Sequence, residues 1–138
     1  MSTLGLAERV SKPVTDFLGG NLQLLIDGRW VEAASGKAFP VFNPATGKEM
    51  VRVAEADAAD VDLAVRAARR AFDDGPWSRM SPSERGRLLW KLADLIERHG
   101  DEFAELEAQD NGKPRAVAQV ADVPLTVDMF RYMGGWST

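Results

Sequence analysis

SPSERGRLLWKLADLIERHGDEFAELEAQDNGK, residues 81–113, holds a helix start, an apolar stripe and a glycine stop in one segment. Ser81 can accept a backbone amide as an N-cap, Pro82 suits the first helical position, and Glu84 can reach back to complete a capping box. Leu88, Leu89, Leu92, Leu95 and Ile96 then share one side of a 3.6-residue period, while Arg85, Arg87, Lys91, Asp94 and Glu97 take the other. The pattern predicts a helix with one buried face. Gly100 is expected to supply a positive φ that stops it, Asp101 to cap a second helix carrying Phe103 and Leu106, and Asn111-Gly112 to end that one. The expectation is two helices hinged at His99-Gly100.

Upstream, residues 1–20 lack sustained periodicity and read as an arm, with Gly19-Gly20 breaking any short helix around Val14 to Leu18. Leu22, Leu24 and Ile26 alternate, Asp27-Gly28 is a favoured type I′ pair, and Arg29-Trp30-Val31 returns, which predicts a β-hairpin. Ala34 to Lys37 reads as a turn. Phe39 and Val41 form a short strand running into the turn Asn43-Pro44-Ala45-Thr46-Gly47, and Pro40 makes that strand an edge because it cannot donate to a ladder. Met50, Val51 and Val53 form the next strand.

Asp57 is a candidate N-cap with Asp60 at the third helical position. Val61, Val65, Ala68 and Phe72 give the helix that follows a shallow, alanine-filled face. Such a face suits close packing, and it is expected to lie against the Leu88 to Ile96 helix. Asp73 to Pro76 ends it, and Trp77 begins the connector to Ser81. Beyond Pro114 the composition is again helical, and Pro124 should kink or divide that helix. Met129, Phe130, Tyr132, Met133 and Trp136 then gather more apolar surface than the remaining sequence could cover, so the chain is expected to be interrupted within an element. The fold class is α/β: a hairpin and short strands followed by a helical region.

At 138 residues with 45% hydrophobic content, the composition is that of a globular chain. A formal charge of −4 argues against nucleic acid as a partner. Arg66, Arg69 and Arg70 form the single basic concentration and read as a solvated helix face, with Asp62 four residues before Arg66. There is no cysteine, hence no disulfide, thiolate metal site or thiol nucleophile in these residues. The first twenty residues lack the apolar run of a secretion signal, and no stretch is apolar enough for a membrane span. A cytoplasmic protein with no membrane partner is expected.

The chemistry-bearing residues are sparse. His99, the single histidine, falls at a helix end, where a cation is mildly favoured, and it reads as interfacial rather than catalytic. HxxxH, CxxC and DxDxDG spacings are missing. Gly19-Gly20, Asn111-Gly112-Lys113 and Gly134-Gly135 match neither dinucleotide- nor phosphate-loop patterns and read as turns or caps. Glu102, Glu105 and Glu107 read as a solvated face rather than paired acid and base. No catalytic and no cofactor-binding residue is identified.

The segments LLIDGRWVEAASGKAFPVFNPATGK, ADVDLAVRAARRAFDDGPW and SPSERGRLLWKLADLIERHGDEFAELEAQDNGKP, in that order and spacing, resemble the N-terminal region of the NAD(P)-dependent aldehyde dehydrogenase superfamily. The resemblance spans roughly residues 23–136, and the tail looks most like bacterial phenylacetaldehyde-type enzymes. It implies that residues 21–138 are the first part of a cofactor-binding domain. It also implies a parent enzyme that oxidises an aldehyde to a carboxylate: a cysteine thiolate attacks the aldehyde, hydride passes to NAD or NADP, and a glutamate-activated water hydrolyses the thioester. In the family the cysteine, the glutamate, the asparagine oxyanion donor and the nucleotide-binding sheet lie beyond residue 138, so this chain alone is expected to be inactive. The parent is expected to be a homo-oligomer.

The resemblance maps one further feature onto the chain. Some members hold a monovalent cation with backbone carbonyls before the Asn-Pro turn and with the aspartate of the DNGK segment, which here are Val41, Phe42 and Asp110. Oxygen ligands suit a hard cation. The bland alternative is that Asp110 merely satisfies backbone groups at a helix end. A different class of reading also stands: a non-catalytic interaction module built from the same fold segment.

Overall fold

The computed structural model describes residues 10–138; the first half of the expected arm, residues 1–9, lies outside them. The described part of the arm contains a helix, α1 (Lys12–Leu18), ended by Gly19. Five short strands follow: β1 (Asn21–Leu22), β2 (Leu24–Ile26), β3 (Arg29–Val31), β4 (Ala38–Phe42) and β5 (Glu49–Ala54). β2 and β3 pair antiparallel with Leu25 opposite Trp30. Their turn residues Asp27 and Gly28 have φ of 54° and 72°. Two positive φ values in succession define the I′ geometry that matches strand twist, so the Asp-Gly signal is realised as read. β1, β5 and β4 form a separate three-stranded sheet in that order, with β1 parallel and β4 antiparallel to β5. β4 is therefore an edge, the position at which Pro40 is tolerated.

Two capping boxes start the long helices. For α2 (Ala58–Asp73), Asp57 Oδ1 accepts the Ala59 amide at 2.8 Å and Asp60 Oδ2 accepts the Asp57 amide at 3.0 Å. For α3 (Pro82–Arg98), Ser81 Oγ accepts the Glu84 amide at 3.3 Å while Glu84 Oε2 accepts the Ser81 amide at 2.7 Å. α4 (Gly100–Asn111) follows a single non-helical residue, His99, at φ −101° and ψ 20°. The hinge is where the sequence placed it, but its cause differs. Gly100 is the first residue of α4 and has no positive φ, and Asp101 sits in the first turn rather than at the cap. The corner is turned at His99 without a left-handed residue. Asp101 and Glu102 instead place negative charge at the positive end of the helix dipole.

After α4 come α5 (Arg115–Val117), a π-helical turn over Ala118–Asp122, and α6 (Val123–Gly135). Pro124 produces this division. It has no amide for the Val120 carbonyl, and its ring would crowd that carbonyl in a regular helix. The π turn widens the backbone ahead of it, and the Val123 amide reaches back to the Ala118 carbonyl.

The main interhelical contact is between α3 and α6. Gly86 and Ala93 are the buried residues of α3, and Gly86 meets Gly134 of α6. Leu88, Leu92 and Leu95 remain 38%, 40% and 48% exposed. The expected packing of α2 on α3 is not formed. α2 lies instead against β2 and the turn Pro76–Arg79. Polar anchors fix it there: Asp60 Oδ1 accepts the Ala34 amide at 3.0 Å, and Arg70 meets Asp27 of the hairpin turn at 3.1 Å. Among the described residues no helix is long and apolar enough to cross a membrane.

Candidate functional site

β4 leads into the segment that the sequence singled out. A register shift falls between Val41 and Phe42, where Val41 pairs with Val51 but Phe42 pairs with Glu49. Such a bulge takes backbone groups out of the regular ladder and re-aims them. Asn43 then organises the turn. Its Oδ1 accepts the amides of Ala45 at 2.9 Å and Thr46 at 3.2 Å, and its carbonyl accepts Gly47 N–H at 2.8 Å. Gly47 closes the turn at φ 66°.

The turn docks onto the end of α4. The Asn43 carboxamide donates to Gln109 Oε1, and Pro44 lies so close to Gly112 that a Cβ there would stand 2.9 Å from Pro44 Cγ. Gly112 is the left-handed C-cap of α4, with φ 79° and its amide on the Ala108 carbonyl. Glycine is required twice at this position, once for its φ and once for the approach of Pro44.

Behind this junction Val41 and Asp110 line one cavity of about 300 Å³, together with Glu107, Phe103, Met50 and Val53. Phe42 belongs to the bulge but does not line the cavity, and its side chain is about half exposed. Of the three expected ligands, two share a cavity and the third supplies the adjacent backbone.

Sequence reasoning missed the residues that hold the site together. Glu107 lines the cavity, accepts from Asn111 Nδ2 and sits 3.1 Å from Lys113 Nζ. Lys113 also donates to Asp122 Oδ2 at 2.6 Å, tying the end of α4 to the π turn. Its hydrogen bonds to Asp122 and then Glu107 push its ammonium above the ordinary lysine value. Glu105, expected on a solvated face, is 4% exposed and accepts the Ser11 amide at the start of α1. The periodicity of α4 could have flagged Glu105, since it lies beside buried Ala104. Nothing local pointed to Ser11.

His99 is exposed and meets Glu102 Oε1 at 3.1 Å. Arg69 pairs with Asp73 and Arg70 with Asp27, and among the described residues no ion pair joins Asp62 to Arg66. No cluster of three or more His, Cys, Asp or Glu side chains poised for a metal ion is present among the described residues. A site of carbonyls with one carboxylate does not require such a cluster.

Residues 30–138 match the aldehyde dehydrogenase family. The chain is 47% identical over 131 residues to aldehyde dehydrogenase family 2 member B4, mitochondrial, of Arabidopsis thaliana, covering 95% of this chain and 24% of that protein. It is 46% identical over 138 residues to aldehyde dehydrogenase, cytosolic 1, of Elephantulus edwardii, covering 99% and 27% respectively. The structure superposes on the NAD+ complex of the Bacillus cereus aldehyde dehydrogenase with a TM-score of 0.89 at 48% identity, over 91% of this chain and 26% of that one. The chain thus spans about a quarter of the length of the relatives it matches.

Proposed function

The chain belongs to the aldehyde dehydrogenase family, and on that premise we propose that it supplies the N-terminal part of an enzyme oxidising an aldehyde to a carboxylic acid with NAD or NADP as hydride acceptor. The observation that carries this reading is the pairing of near-complete coverage of the chain with coverage of only 26% of its Bacillus cereus neighbour, at a TM-score of 0.89. The acceptor takes the hydride when it is bound. This chain's residues brace the N-terminal strands against α4 and leave the hydride-transfer site to other parts of the protein. By itself the chain, with no cysteine thiol, is inactive toward aldehydes. Phenylacetaldehyde is the substrate type that the C-terminal wording supports. A cytoplasmic setting is supported by the cytosolic relative, and a homo-oligomeric parent by the open apolar faces.

The bulge at Val41 and Phe42 and the carboxylate of Asp110 fit a monovalent cation, since bulged carbonyls and one exposed carboxylate are hard oxygen donors. We assign these three residues to that ion, with the remaining ligands from elsewhere in the protein.

Incubation of the purified chain with phenylacetaldehyde and NAD at millimolar levels tests the main reading. No reduced cofactor above a protein-free blank is expected, and co-expression with the remainder of an aldehyde dehydrogenase should restore turnover. Turnover by the chain alone overturns it. A stable, inactive monomer that binds intact subunits without restoring activity favours the interaction module, to which the same open apolar faces are suited.

A further inference from the structure

We propose that Asn111-Gly112 is a gated self-modification site, at which the Gly112 backbone nitrogen closes on the Asn111 carboxamide. After losing its proton, that nitrogen attacks Cγ; the N–Cγ bond forms, the Cγ–Nδ2 bond breaks, and ammonia leaves with the proton. The succinimide so formed takes up water at either carbonyl, giving aspartate or isoaspartate. No other reactant is needed, and nothing is oxidised or reduced.

The electrophile is already prepared. Asn111 is exposed to water, and its Oδ1 accepts the Lys113 amide at 2.9 Å. That bond draws electron density from Cγ and would stabilise the oxygen as it gains charge during attack. The nucleophile carries no side chain beside it, because residue 112 is glycine.

One bond keeps the nucleophile masked. Gly112 N–H donates to the Ala108 carbonyl at 3.1 Å in the last turn of α4, so Asn111 stays helical and cannot close the ring. Three contacts hold that turn shut. Pro44 packs so close to Gly112 that no side chain would fit between them, Asn111 Nδ2 donates to Glu107, and Lys113 Nζ spans Glu107 at 3.1 Å and Asp122 at 2.6 Å. Conversion therefore requires local opening of the helix end.

The product opposes re-closure. A carboxylate at 111 cannot donate to Glu107, and it places a second negative charge beside Asp110. Against Glu107 the new charge repels where the carboxamide attracted. The reaction is a one-way record of how often the clamp at the α4 terminus opens.

The test compares the full chain with a synthetic peptide of residues 107–117 at mildly alkaline pH, following the amide-to-acid mass gain by peptide mapping and isoaspartate by enzymatic methylation. The folded chain should convert more slowly than the peptide by about tenfold or more, as expected for a site exposed by local opening. Asp122→Ala and Lys113→Ala should each speed conversion about threefold, the scale of a partly exposed ion pair. Asn111→Gln should abolish it. Equal rates in chain and peptide, or variants that keep their helicity and the original rate, overturn the gate. If a variant loses helicity, exchange of the Gly112 amide in the unaltered chain decides. Its protection should match the ratio of peptide to chain rates, and a mismatch overturns the proposal.

Discussion

Gly86 of α3 and Gly134 of α6 meet backbone against backbone: a Cβ on Gly86 would stand 2.7 Å from the Gly134 carbonyl oxygen. Trp90 lies over the same crossing, with its Cδ1 2.7 Å from where a Gly134 Cβ would be. Arg131 covers the ring at 5.5 Å and reaches Asp94 at 2.9 Å and Glu97 at 2.6 Å. The crossing of α3 and α6 thus depends on two absent side chains, with a tryptophan and an ion-pair network closing over the gap.

Gly86→Ala should therefore destabilise the chain, because its clash, worth about 2 to 3 kcal/mol, is with a main-chain atom that cannot rotate away. That outweighs the roughly 1 kcal/mol by which alanine favours a helix over glycine. At Gly135, one residue from the crossing, an added Cβ would meet nothing within 4 Å. Gly135→Ala should stabilise instead, by up to about 1 kcal/mol. Urea unfolding of both variants reads the two opposite signs, and equal signs would refute the crossing.

Ser81→Ala removes the hydroxyl that accepts the Glu84 amide and should cost about 1 kcal/mol of stability. It should also change the response to pH. The hydrogen bond from the Ser81 hydroxyl, and then that from its amide, lower the Glu84 carboxyl from its ordinary value of 4.5. A group depressed on folding stabilises fully above the unfolded value, and that contribution is lost as pH falls through the folded one. The difference in melting temperature between wild type and Ser81→Ala should therefore be full at neutral pH and shrink below pH 4.5. A difference independent of pH would show that the Glu84 carboxylate adds nothing to the cap.

Asp60 is 3% exposed and serves two amides, Asp57 at the helix start and Ala34 in the loop after β3. Asp60→Ala leaves both without that acceptor and should cost about 2 to 3 kcal/mol. Asp60→Asn keeps one acceptor oxygen and should lose less. Amide exchange at Ala34 should rise in both variants, since a cap confined to α2 would leave it unchanged.

The leucine face of α3, with His99, Glu102, Phe103 and Leu106 of the hinge and α4 and with Val14 and Phe17 of α1, borders an apolar groove of about 430 Å³. Leu125, Met129, Tyr132 and Trp136 of the C-terminal helical region are also more than half exposed. Apolar surface on that scale should bind ANS and drive self-association of the isolated chain. Sedimentation and ANS fluorescence check this, and a monomer with no dye enhancement would contradict it.

The hairpin, the edge strand with Pro40, both capping boxes and the break at Pro124 were legible in the sequence, because each is decided by groups a few residues apart. Turn φ values, a cap's reach to its third amide and a proline's missing donor are local constraints that no distant partner alters. The partnership of helices was not legible. An apolar stripe states that a face avoids water but not which surface will cover it, so the Leu88 to Ile96 stripe suggested the core face while Gly86 and Ala93 are the buried residues of α3 and Gly86 meets Gly134 of α6. Nor could spacing reveal that Asn43 meets Gln109, or that Glu105 accepts the Ser11 amide. Those bonds join residues 66 and 94 positions apart. The sequence by itself determined the hairpin turn, the two helix starts and the break at Pro124; the tertiary structure alone decided which faces meet, because close approach is set by the shape of both surfaces together.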